Sequence, residues 1–306
     1  MKPAKPIVIS ASRRTDIPAF YMPWFMDRIK SGIFEVVNPF NRRVSHTSAS
    51  PEHVHTIVFW SKNFRPFLDR KYGEALQAKG YNLFFNFTIN STDIRLEPNV
   101  PPLADRLHQL EEMCNRFGPQ CLTWRFDPIC VFNGGSGIER DNLGDFPRIA
   151  ERAAANGIRR CITSFVDLYP KIRKRTASMP GFSFIDVPNA RKVEILQDMK
   201  SCLQNTGICL STCCEKDLLA HLPAETGIHG SSCIPNDLLA RLYGGQISLK
   251  RDTGQRVRLG CGCRVSVDIG DYRRHPCFHN CLFCYANPAR PPAGVDSCGE
   301  EKAAAK

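Results

Sequence analysis

The residues best able to do chemistry in this chain are thiols, and many of them crowd toward one end. Cys277, Cys281 and Cys284 stand in one stretch, Cys277-Phe-His-Asn-Cys281-Leu-Phe-Cys284. Three thiolates in a tight loop can hold three irons of a cubane 4Fe–4S cluster. The fourth iron then lacks a protein ligand and is open to a small molecule. The same spacing also fits a zinc ion with one distant fourth ligand. A second set, Cys213, Cys233, Cys261 and Cys263, comes from three segments, with Cys214 an alternative to Cys213. Four such thiolates can close a further 4Fe–4S cluster or an all-cysteine zinc site. Gly262 gives Cys261 and Cys263 a tight turn. The thiols Cys114, Cys121, Cys130, Cys161, Cys202 and Cys209 lie in or beside apolar periodic stretches and read as small buried residues. Cys298, in the tail, reads as a free thiol.

Composition agrees with metal ligation. There are 15 cysteines in 306 residues. The start of the chain carries only a short apolar run at residues 7–9, which does not make a signal peptide. Reduced thiols in the cytoplasm are therefore expected, and the odd count argues against a disulfide framework. Lys and Arg number 41 against 30 Asp and Glu, a formal net charge of +11. Such a surface favours an anionic partner: a small anionic substrate or cofactor, an electron donor protein with an acidic face, or a nucleic acid. With 42% hydrophobic and 23% charged residues the chain is that of a folded globular protein. No apolar run approaches the roughly 20 residues of a membrane span.

These groups need a frame. Short apolar runs at 7–11, 34–37, 56–60, 83–89, 122–126, 160–165 and 208–212 mostly lack polar alternation, the mark of parallel strands covered on both faces. Helical stripes fall between them. Leu103, Leu107, Leu110, Cys114 and Phe117 line one face, with Pro102 at the start and Gly118 at the stop. Val193, Leu196, Met199 and Leu203 make another, and so do Trp24, Phe25 and Ile29. Strands alternating with helices predict an α/β fold, a complete or partial (β/α) TIM-type barrel. Residues 1–212 form its body. Residues 213–288 form a cysteine-rich segment of the same domain, over the strand-end face, and residues 289–306 a flexible tail.

Polar residues at the C-terminal ends of barrel strands point into the active-site mouth. Arg14 and Asp16 follow the first run, Asn38 to Asn41 the second, and Lys62 the third. Arg125 and Asp127 end the fifth, where Pro128 is expected to stop the strand, and Asp167 follows the sixth. Arg14 or its neighbour Arg13, Lys62 and Arg125 are candidate clamps for carboxylate or phosphate. Asp16 and Asp127 are candidates to orient them. The glycine-rich stretch 133–137 reads as a βα loop, and His279 as a group supporting the cysteine loop.

The CxxxCxxC spacing, with Phe283 just before its last cysteine, resembles the radical S-adenosylmethionine (SAM) signature. That resemblance implies a 4Fe–4S cluster whose open iron chelates SAM and whose electron splits the sulfonium bond. In that superfamily the loop follows the first barrel strand, near the N-terminus, whereas here it lies near the C-terminus. A wider set of motifs resembles the uncharacterised family called domain of unknown function 1848. These are Ser-Arg-Arg-Thr-Asp at 12–16, Asn-Pro-Phe-Asn at 38–41, Phe-Trp-Ser-Lys-Asn at 59–63, Trp-Arg-Phe-Asp-Pro at 124–128, Ser-Val-Asp-Ile-Gly at 266–270 and the final cysteine loop. This second resemblance names no substrate. Together they lead us to expect an iron–sulfur redox enzyme of radical SAM-like type. The alternatives are a non-catalytic iron–sulfur or zinc protein that binds nucleic acid through Arg159, Arg160, Lys171–Arg175, Lys250, Arg251, Arg256 and Arg258, and an electron-transfer module.

Overall fold

The computed structural model of the chain describes residues 5–135 and 137–286. Its frame is an eight-stranded sheet. In chain order the strands are β1 (Ile7–Ala11), β2 (Val54–Ser61), β3 (Asn82–Thr88), β4 (Leu122–Ile129), β5 (Arg160–Phe165), β6 (Cys209–Thr212), β7 (His229–Gly230) and β8 (Val267–Asp268). Across the sheet they run β7-β6-β5-β4-β3-β2-β1-β8, and every pairing is parallel. Sequence neighbours are therefore spatial neighbours with one exception. β8, last in the chain, pairs beside the first strand, with Ile9 opposite Val267 and Ser10 opposite Asp268. Among the described residues the edges β7 and β8 do not pair with each other.

Side chains alternate across each strand, and the two faces differ sharply. Ile57, Phe59, Phe85, Phe87, Trp124 and Phe126 face the helices in one core. There Phe59 stacks on Phe85 at 5.9 Å and Phe64 meets Phe87 edge-on at 5.0 Å. Helix Leu103–Phe117 presents the expected stripe to this core and stops at Gly118, whose φ of 84° suits glycine. The opposite face is apolar and sulfur-rich, with polar groups among it. Val8, Val58, Phe84 and Ile162 there pack with Cys213, Cys233, Cys261, Cys263 and Leu239 of helix Asn236–Tyr243.

Three expectations need correction. The run at 34–37 belongs to strand Ile33–Val37, which pairs antiparallel with Val44–Ser48 in a separate hairpin. The Asn38 side chain accepts from Phe40 N, and Arg42 takes φ 60°. The chain thus reverses within a few residues, too few for the crossover a parallel neighbour requires. Strand β4 does not end at Pro128: it continues to Ile129, with a register shift between Phe126 and Ile129. The glycine-rich stretch is part of a hairpin, Val131–Gly134 against Glu139–Asp141, with Phe182–Phe184 as third strand; Ser136 lies outside the described residues. So do the tail 289–306 and Cys298. No helix among the described residues is long and apolar enough to cross a membrane.

Candidate functional site: two thiol groups at the strand ends

The second cysteine set is buried in one cluster. Cys213 leaves the end of β6, Cys233 follows β7, and Cys261 and Cys263 lie on the approach to β8. The Cys213 and Cys233 sulfurs are 3.8 Å apart, and those of Cys213 and Cys214 3.6 Å. Cys261 and Cys263 are buried in the same cluster as Cys213 and Cys233, with Cys214 packed against it. The neighbouring thiols of Cys213, Cys214 and Cys263 hold the Cys261 thiol far below the usual range. The bond to Cys213, then burial, pushes Cys233 up to about 12. Cys214 reaches the group from a left-handed backbone, φ 63°, a conformation unfavourable to a residue with a Cβ. Gly262 is needed for a different reason than flexibility: a Cβ there would stand 2.6 Å from the Ser231 carbonyl oxygen. Its hydrogen lets the Cys261–Cys263 turn lie against the segment carrying Cys233.

Cys277, Cys281 and Cys284 sit in a loop anchored on several strand ends. Leu282 N donates to Leu96 O at 2.8 Å, and Asn99 Nδ2 to Phe278 O at 2.8 Å. The Tyr21 hydroxyl donates to Pro276 O, and Tyr285 to Arg13 O. Asn280 takes φ 59°, and Cys284 N donates to Cys281 O at 3.1 Å, which closes the turn. His279 is buried, with Nε2 2.7 Å from Asp16 Oδ2 and Nδ1 3.3 Å from Asn99 O. Asp16 also accepts from Ser61 Oγ and Lys62 N. Burial pushes the Cys281 thiol up, and the Lys62 ammonium pulls against it. Arg175 donates to the carbonyls of Leu282 and Cys284. Among the described residues no three or more His, Cys, Asp or Glu side chains already surround one metal position. The donor type nevertheless fits a cluster: three buried or half-buried thiols from one turn, with cationic groups beside them.

Lys62, Arg125, Asp127 and Arg14 each have a protein partner, while Asn38 to Asn41 lie in the turn of the separate hairpin and Asp167 pairs with Arg256. Lys62 pairs with Glu97. Arg125 pairs with Asp127, donates to the Cys233 sulfur and lies over Trp60 at 5.1 Å. Burial works against its charge, but Asp127 and the thiols outweigh it and raise its pKa. Asp127 is lowered despite burial, by Arg125 and by Ser164. Arg14 donates to Gly270 O at 2.9 Å and to Val37 O at 3.3 Å.

Sequence reasoning passed over several residues. Asp268 of β8 accepts from Ser10 Oγ at 3.0 Å, Ser12 Oγ at 2.5 Å and Arg13 N at 2.8 Å, locking β8 to β1. Glu97 and Trp60 also line this region, and Arg13, a candidate beside Arg14, lies over the Trp60 ring at 5.6 Å. Asp268 was visible inside the motif at 266–270, but its strand is only two residues long. Of the basic residues considered for nucleic acid, Arg160 bonds to Gln120 O and Leu122 O, Arg256 pairs with Asp167, and Arg175 braces the cysteine loop. Two surface clefts are built on helix Leu103–Phe117, and neither is lined by a cysteine.

The fold and site define a mixed α/β protein on a large parallel sheet, with two cysteine groups at the ends of its strands. The family model described as "Domain of unknown function (DUF1848)" matches residues 8–286, and the chain belongs to that family. No curated protein matches the chain. A solved structure titled "Crystal structure of D-hydantoinase" is similar at a TM-score of 0.34 and 10% identity, over 74% of this chain and 46% of that one. The chain thus spans under half the length of that protein, and a likeness at this level carries no functional argument.

Proposed function

We propose that the protein is an iron–sulfur redox enzyme of radical SAM-like type. Cys277, Cys281 and Cys284 would ligate one 4Fe–4S cluster, and SAM would be the cofactor. The observation that carries this reading is where the loop hangs. It leaves β8, and β8 stands at the sheet edge beside β1. Counted in space, the loop follows the first strand of the run β8-β1-β2-β3-β4-β5, the place the radical SAM resemblance requires. Its late position in the sequence then amounts to a circular rearrangement of the same architecture. We read the sheet accordingly as a (β/α) barrel left open between β7 and β8, with the cysteine-rich segment over its strand-end face.

When bound, the cluster supplies the electron that cleaves a sulfonium bond. The chain's own residues position and shield it. His279 ties the loop to Asp16 and thereby to the end of β2 through Ser61 and Lys62. Lys62 offsets negative charge at Cys281. Trp60 Nε1, Asn86 Oδ1, Glu97 Oε2 and Thr212 Oγ1 are buried side-chain atoms without a hydrogen-bond partner. Of these, the Trp60 indole N–H and the Thr212 hydroxyl are donors that could meet a cofactor or a small anionic substrate, since unpartnered buried groups are costly unless a ligand satisfies them. An acidic electron donor protein suits the charge of +11. Nucleic-acid binding draws less support, because Arg160, Arg175 and Arg256 are engaged within the fold.

The test is formation of 5′-deoxyadenosine from SAM by the anaerobically reconstituted protein under reductant. Wild type should form it, and Cys281→Ala should not. Absence of product from wild type carrying a full cubane would overturn the SAM assignment.

A further inference from the structure

The four thiols of the second group come from both sides of the one gap in the sheet. Cys213 and Cys233 belong to the β6–β7 side; Cys261 and Cys263 precede β8 on the other. Hydrogen bonding between strands does not close this side among the described residues. A tetrahedral ion with metal–sulfur bonds of about 2.3 Å sets its sulfurs about 3.8 Å apart. The Cys213 and Cys233 sulfurs are separated by 3.8 Å. Cys261 and Cys263 are buried in the same cluster as Cys213 and Cys233, and because no three ligating groups already surround one metal position among the described residues, binding draws their sulfurs in by side-chain rotation. A cubane places each thiolate on a different iron and would hold the sulfurs much farther apart. Arg125 donates to the Cys233 sulfur, and Arg13 lies with it over Trp60 beside the group. They complement a tetrathiolate centre, which is doubly negative with a divalent ion. Gly262 is the residue that permits the close approach, because a Cβ would collide with Ser231 O.

We propose that Cys213, Cys233, Cys261 and Cys263 bind a single zinc ion, which staples β6 and β7 to the approach of β8. Cys214, half-buried where the other four are buried, stays outside the ligand set, and Arg125, which donates to the Cys233 sulfur, is a positioning residue. The inference does not rest on the iron–sulfur reading. Burial of all four ligands and the lack of an open position give the ion a structural role, with binding energy that stabilises the fold.

The test uses the full chain, purified without oxygen, with zinc counted by elemental analysis. Wild type, Cys281→Ser and Cys214→Ser should each hold one zinc per chain, and Cys263→Ser none. Cobalt(II) exchanged into wild type should give the intense visible bands of a four-sulfur tetrahedral site. Should Cys263→Ser fail to fold, thiol alkylation of wild type decides. The four cysteines should become reactive only after a chelator removes zinc, while Cys161 stays protected throughout. No zinc and no cobalt spectrum in wild type would overturn the proposal. So would iron and sulfide counts of two cubanes per chain, loss of zinc in Cys214→Ser, or the four thiols reacting equally with and without the chelator.

Discussion

His279 and Arg125 each hold part of the thiol arrangement through buried bonds. His279 is buried and bridges Asp16 to Asn99, so the loop's shape is held by a residue that is not a ligand. His279→Ala should destabilise the protein by about 1–3 kcal/mol, the cost of unmaking a buried bond. It should also lower iron retention after desalting although all three thiols remain. Unchanged melting and iron content would remove its positioning role. Arg125 holds Asp127 with one nitrogen and the Cys233 sulfur with another. Lysine keeps the charge but not the fork. Arg125→Lys should therefore leave one partner unsatisfied and cost about 1–3 kcal/mol in denaturant unfolding; a variant as stable as wild type would contradict this. The cysteines and the mouth charges were legible in the sequence because their types are rare and their spacing is tight. What they bind within the protein was not. Arg125 was expected to clamp an external anion, and its sulfur partner lies over a hundred residues away in the chain.

At the scale of elements, β8 decides where the cysteine loop goes, and it is only two residues long. Its hold on β1 comes from Asp268, which gathers Ser10, Ser12 and Arg13 N. Gly270 lets the next residues pass, since a Cβ there would run into Ser12 Oγ and Cβ. Gly270→Ala should break the Ser12–Asp268 bond and cost about 1–3 kcal/mol by overpacking. Thermal melting checks it, and an unaltered transition would show that β8 is secured elsewhere. The long strands and helices could be read from the sequence because burial on a parallel sheet imposes a pattern over five residues or more. Strand Ile33–Val37 carries a similar apolar signal, yet the tight turn after it fixes an antiparallel partner. β7 and β8 offer no period at all, because two residues cannot show one.

Across the whole molecule, the sheet's sequential order and the return of β8 to β1 bring both thiol groups to the strand ends. One group lies in a single turn with cations beside it; the other draws on segments next to both edge strands. Family membership supplies no chemistry, so the chemistry must be read from these groups. The central claim is a cluster at Cys277, Cys281 and Cys284 with one iron left open to SAM. The most direct measurement is the electron paramagnetic resonance spectrum of the reduced, reconstituted protein before and after adding SAM. A reduced 4Fe–4S signal whose shape changes on addition of SAM, and which is absent from Cys277→Ala, is the expected result. A cubane signal indifferent to SAM, or one that persists in Cys277→Ala, would contradict the account.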